Sequence, residues 1–94
     1  MTNIYCRIIT TDCSKLTEES ILSYFKSKLG KIEFSPMQPY WKIPGQGDIT
    51  CHFTTSHTLE DIQHLFADHW DSNTADSRRS NIHCPGVFFL WISR

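Results

Sequence analysis

Close to the end of the chain the sequence reads GVFFLWISR, and Val87, Phe88, Phe89, Leu90, Trp91 and Ile92 follow one another without a polar residue between them. A strand with one wet face alternates apolar and polar side chains, because neighbours point to opposite faces. An unbroken apolar strand asks for cover on both faces. A chain of 94 residues buries about two-thirds of its unfolded surface, around one modest core. What covers the two faces of this strand is therefore the question that limits the fold.

The rest of the chain divides into short elements. Asn3–Thr11 (NIYCRIITT) is β-branched and aromatic, which predicts a strand with Ile4, Cys6 and Ile8 on one face and Tyr5, Arg7 and Ile9 on the other. LTEESILSYFKSKLG predicts a helix capped by Thr17, with Leu16 and Ile21 as a hydrophobic staple. Its apolar stripe is Ile21, Leu22, Phe25 and Leu29, and Gly30 stops it. KIEFS alternates as a short strand with Ile32 and Phe34 on one face. PMQPYWKIPGQG then reads as a loop or a broken hairpin arm. DITCHFTT alternates cleanly, with Ile49, Cys51 and Phe53 opposite Thr50, His52 and Thr54. HTLEDIQHLFADHWD predicts a second helix, with a capping box between Thr58 and Asp61 and a stripe of Leu59, Ile62, Leu65, Phe66 and Trp70. DSNTADSRRSN is a polar loop, and IHCPGVFFLWISR a final strand broken at Pro85–Gly86.

The order β-α-β-β-α-β is the split βαβ, or ferredoxin-like, pattern: one α+β domain over residues 1–94, with two helices on one face of a four-stranded antiparallel sheet. That arrangement places the fourth strand at an edge and leaves one sheet face bare. Whichever residues of the last strand meet the helices, an apolar row lies on the other side. Two covers are open: the Pro-rich segment 36–46 with Tyr40 and Trp41 folds over it, or it is an interface with a foreign protein or a second copy of the chain.

The net charge of −1 argues against a general nucleic-acid binder, but the charges are unevenly spread. From Ile43 to Ser77 there is no Lys or Arg, while Asp48, Glu60, Asp61, Asp68, Asp71 and Asp76 all fall there. Such a segment can steer a basic partner, or be an ordinary solvated face folded beside basic ones. No apolar run is long enough to span a bilayer, and MTNIYCRIITTD does not resemble a signal peptide, so the expected location is cytoplasmic. The four cysteines, Cys6, Cys13, Cys51 and Cys84, are expected to be reduced.

No constellation stands out for catalysis or a cofactor. Cys51–His52 and His83–Cys84 are adjacent pairs whose members point to opposite faces of a strand, and His64 and His69 do not stack on one helical face, so no metal site is expected. Pro85 after Cys84 suggests a bend, not a helix N-terminus that would activate a thiol. Asp68 and Asp71 lie near a helix C-terminus, against its dipole, a mild local violation of the sort met at functional surfaces. RNA-recognition modules share the fold pattern, but their glycine–aromatic core motif and a basic patch are missing. ADHWDSNTADS combines acids with Trp70, which is either an interface anchor or the end of the helix stripe.

The stretch from Thr58 to Ile92 resembles small bacterial immunity proteins of toxin–immunity pairs, including those of contact-dependent growth inhibition. The residues that carry the likeness are Trp70, Asp71, Thr74, Asp76, Ser77, Arg78, His83, Gly86, Phe89, Leu90, Trp91 and Ile92. The resemblance implies a protein without enzymatic activity that binds a cognate toxin domain, often a nuclease, and blocks it. Together with the charge map this gives an expected partner-binding set of Asp68, Trp70, Asp71, Asp76, Arg78, Tyr40, Trp41 and Asp48. No nucleic acid, membrane, cofactor or metal enters that expectation. The other reading is a small ferredoxin-like module that senses a ligand or metal and dimerises through the open sheet face.

Overall fold

A computed structural model of the chain describes residues 1–66, 78–79 and 84–94. The described elements are β1 (Thr2–Thr10), α1 (Lys15–Leu29), β2 (Gln38–Pro39), β3 (Gly47–Thr55), α2 (Leu59–His64), β4 (Arg78–Arg79) and β5 (Val87–Ser93). The architecture is α+β. The strands form one antiparallel sheet in the order β2-β3-β1-β5-β4. Three long strands make its centre, and a two-residue strand closes each edge.

Each long strand splits its side chains as alternation predicts. Ile4, Cys6 and Ile8 of β1 and Ile49 and Cys51 of β3 join Leu90 and Ile92 of β5 in one buried cluster with Ile21 and Phe25 of α1, Ile62 of α2 and Phe66. Both helices therefore cover the same sheet face. Phe25 is the largest side chain fully buried there, stacked on Phe66 at 4.6 Å and meeting Phe34 edge-on at 6.3 Å. Gln63 is the unexpected member of this layer. It is buried, and its side-chain amide donates to the carbonyl oxygen of Ile92 at 3.0 Å.

The opening question is answered for the helix side. Leu90 and Ile92 point into the core, and Phe89 and Trp91 lie on the opposite face. The register with β1 shifts between Ile9 and Thr10, which pair with Phe89 and Val87. Phe88 is thus the extra residue of a bulge, which returns Val87 to the core cluster and leaves Phe88 exposed.

Several expectations need correction. The cap of α1 is Ser14, not Thr17: Ser14 Oγ accepts from Thr17 N–H at 3.1 Å, and Asp12 Oδ1 accepts from Ser14 N–H at 2.8 Å. Starting at Lys15, the helix carries Leu16 in its exposed first turn, so no staple to Ile21 forms. Ile32–Ser35 is not a regular strand. Ser35 N–H donates to Thr50 O at 2.8 Å, but Thr50 N–H returns to the Ser35 hydroxyl at 2.9 Å, and Met37 N–H donates to Glu18 Oε2 on α1 at 3.0 Å. With Pro36 and Pro39 lacking donors, the paired strand is reduced to Gln38–Pro39, a broken hairpin arm. Helix α2 ends at His64, where Leu65 and Phe66 N–H bond back to Ile62 and Gln63 carbonyls in a tightened turn. Leu65, placed on the buried stripe by its spacing, is exposed as a result. The expected capping box of α2 forms between Thr58 and Asp61.

The final strand is not a bare edge: Arg78 and Arg79, read as polar loop, pair with Trp91 and Leu90. Basic residues suit a short edge strand, where they discourage further pairing. Two glycines are fixed by close approach. A Cβ on Gly47 would sit 2.5 Å from Met37 Sδ and 2.7 Å from Thr10 Oγ1. Gly86 has φ 93° at the Pro85–Gly86 turn, and a Cβ there would meet Thr17 Cγ2 at 2.8 Å. Among the described residues no helix is long and apolar enough to cross a membrane.

Candidate interaction surface

The sheet face opposite the helices collects the polar and aromatic residues of the three long strands. In the central row Trp91 pairs with Arg7, and Arg7 with Thr50. Arg7 reaches diagonally to Asp48 at the start of β3. Its Nε contacts both carboxylate oxygens at 3.2 and 3.1 Å, and its second guanidinium nitrogen donates to Oδ2 at 2.6 Å. The two side chains are 30% and 17% exposed. Hydrogen bonding to Asp48, partly opposed by desolvation, holds the Arg7 guanidinium further towards its charged form. A forked, half-buried pair of this kind is worth on the order of 1 kcal/mol once solvent screening is allowed for.

Aromatic rings lie against that pair. The Arg7 guanidinium carbon sits 5.6 Å from the Tyr40 ring centre and 5.5 Å from that of Trp91. Both lie in the range of a cation–π contact. Trp91 stacks on Phe89 at 5.6 Å with 21° between the rings. Tyr5 meets His52 across the sheet at 4.6 Å. Beside Phe89, the face is sealed at Ile9, which is fully buried without belonging to the helix-side core.

The loop between β2 and β3 supplies the tip of the surface. Tyr40 N–H donates to Gln46 O at 2.8 Å, which closes the loop, and Gly45 takes φ 87° to turn it. Next to Tyr40, Trp41 stands out from the protein, 77% exposed. Its ring is edge-on to Tyr40 at 6.3 Å, and the Lys42 ammonium lies 5.2 Å from its centre. The segment 36–46 therefore does not close over the whole face. It lays Tyr40 against Arg7 and leaves Trp41 in solvent.

Of the expected binding set, the structure brings together Tyr40, Trp41 and Asp48, and places Arg78 in register with Trp91. Asp68, Trp70, Asp71 and Asp76 lie outside the described residues. Arg7, Phe89 and Trp91 were not in the expected set. Their signal was present in the alternation of β1 and β5, but which acid Arg7 meets depends on the register between β1 and β3.

The chain matches no protein-family model, no curated protein and no solved structure. What the surface can do follows from its own residues. Among those described, no three His, Cys, Asp or Glu side chains are grouped to hold a metal ion. Cys51 and His52 split to opposite faces, as strand geometry requires: Cys51 is in the core and His52 exposed. The surface has the make-up of a binding patch, with aromatic rings around a charged centre and a protruding tryptophan.

All four cysteines are free thiols. Cys6 and Cys51 face each other across β1 and β3, and the hydrogen bond to Cys51, followed by burial, pushes the Cys6 thiol up from its ordinary range. Burial pushes Cys84 in the same direction. Cys6 and Cys84 therefore stay protonated and unreactive at neutral pH, whereas the hydrogen bond with Cys6 holds the Cys51 thiol below its ordinary range and burial alone shields it. In the native protein an aromatic disulfide reagent is expected to label Cys13, the exposed cysteine, rapidly. Cys6, Cys51 and Cys84 should react at the rate of unfolding. Counting released thiolate before and after adding denaturant checks this, and rapid labelling of more than one thiol would contradict the packing.

Proposed function

We propose that the protein is a binding protein that neutralises a cognate toxin domain in the cytoplasm, an immunity protein, and that it acts by occluding the toxin's active site. The observation that carries this reading is Trp41, 77% exposed beside Tyr40 and the Arg7–Asp48 pair. Exposed tryptophan next to half-buried charge is the usual composition of an interface anchor. The strand order around β5, β1, β3 and β2 supports a ferredoxin-like frame for it. The likeness of Thr58–Ile92 to immunity proteins and the acids Asp68, Asp71 and Asp76 support a basic target, such as the substrate cleft of a nuclease. Trp70 and Arg78 would complete the contact.

The test is binding to a purified cognate toxin, sought first in the neighbouring gene product. Trp41→Ala is expected to weaken binding by about 2 kcal/mol, close to thirtyfold, with unchanged folding. Changing Asp68, Asp71 and Asp76 together to alanine is expected to slow association and flatten its dependence on salt. If both variants bind as the parent does, with the same salt dependence, the proposal fails. The second reading, a dimeric sensing module, would gain from a stable homodimer that ignores the neighbouring product.

A further inference from the structure

On the helical side of the sheet a cleft of about 400 Å³ opens between the end of α1, the end of β3 and α2. Its size is within the usual range of small-molecule sites. Leu29, Ile32, Phe53, Ile62 and Leu65 make the apolar part of its wall, beside Thr54 and Thr55. Leu65 is the residue that the early end of α2 turns out of the core, so an apolar side chain is left facing solvent at this mouth. Lys28, Lys31 and His57 stand around the same opening, and no carboxylate is among the described residues that line it. A second recess, lined by Lys26, Gly30, Lys31, Ile32 and Glu33, adjoins it through Lys31 and Ile32.

Lysines in the last turn of a helix are ordinarily explained by its dipole. That account covers Lys26 and Lys28 but not Lys31, which lies beyond Gly30. Among the described residues the one ion pair is Arg7–Asp48, so none of the three lysines has a carboxylate partner. Asp61, the acid that precedes Ile62, is committed to capping Thr58. Thr55 Oγ1 accepts from His57 N–H at 3.2 Å, which leaves the hydroxyl's own proton for an acceptor in the cleft.

We infer that this cleft binds a small amphiphilic carboxylate, with its alkyl chain against the apolar wall and its head group between Lys28 and Lys31. The apolar part of the wall suits an alkyl chain, and the polar part, with Thr54, Thr55 and His57, suits its head group. Ammonium groups on flexible stems act as mobile point charges, which a compact anionic head group such as a carboxylate can meet without a fixed fork geometry. The site is on the layer opposite the Arg7 surface and does not rest on the immunity reading.

Dodecanoate, kept below its micelle concentration, is the probe. Titrated into the full chain and followed by amide NMR, it is expected to saturate at one molecule per protein. The shifts should centre on Leu29–Ile32 and Phe53–His57. Lys28 and Lys31 are both exposed, so K28E/K31E should fold normally, and it should weaken binding about tenfold. Leu65→Asp, a second exposed position, should weaken it as well. Dodecyltrimethylammonium, with the same chain and opposite charge, should not compete. Absence of saturation, equal binding of the cationic amphiphile, shifts centred on Phe89–Trp91, or an affinity untouched by K28E/K31E would each overturn the inference.

Discussion

Phe25→Ala is expected to destabilise the protein by about 3–5 kcal/mol, the range for deleting a buried ring and leaving a cavity. The reason is its position. Phe25 is fully buried at the middle of α1, stacked on Phe66 and edge-on to Phe34 and Tyr24, so it joins the helix layer to the segment before β2 and to the turn after α2. None of these neighbours can collapse into the space easily, because each is held by its own element. Phe34 sits one residue from Ser35, whose backbone and hydroxyl are bonded to Thr50. Phe66 is fixed by the turn that closes on Gln63. Since 1 kcal/mol moves the melting temperature of a domain this size by about 4–8 °C, the variant should melt at least about 12 °C lower. Thermal unfolding by circular dichroism checks it. A loss below about 1 kcal/mol, the ordinary cost of a surface change, would mean that the ring is not at the centre of this core.

Much of the fold could be read from alternation and from helix stripes, because both follow directly from backbone geometry. The inward faces of β1 and β3, Ile21 and Phe25 on α1, the Gly30 stop and the Thr58–Asp61 cap all follow from local pattern. The misread positions are those where a distant group competes for the backbone. Ile32–Ser35 alternates like a strand, yet Glu18 from α1 takes the Met37 N–H and a serine hydroxyl stands in for a ladder bond. The cap of α1 is a different case, two local candidates in competition: Ser14 prevails over Thr17 with its N–H held by Asp12, two residues upstream. Distant partners set the limit at the site as well. Tyr40, Trp41 and Asp48 could be marked as surface candidates by type and sequence position. That Asp48 meets Arg7, and that Tyr40 and Trp91 lie against the guanidinium, depends on which strands are neighbours and in which register. A cross-strand diagonal has no sequence spacing of its own.

The last strand offers the sharpest contrast in expected cost between near neighbours. Leu90→Ala should cost about 2–5 kcal/mol, since Leu90 is fully buried between the sheet and both helices, paired with Ile8. Phe88→Ala should cost less than about 1 kcal/mol, although phenylalanine is the larger side chain. Phe88 is 38% exposed at the bulge, where it sits outside the ladder. By hydrophobicity alone the order would be reversed, and by strict alternation Phe88 and Leu90 would share one face and one fate. The bulge breaks that symmetry. It lets Leu90 and Ile92 enter the core while Val87, an odd-numbered neighbour, also turns inward. Urea denaturation of the two variants at equal slope would report the difference directly. Equal losses would place Phe88 in the core and remove the bulge. A larger loss for Phe88 would make its ring the main anchor of the strand in the core, and the exposed position at the bulge would be wrong.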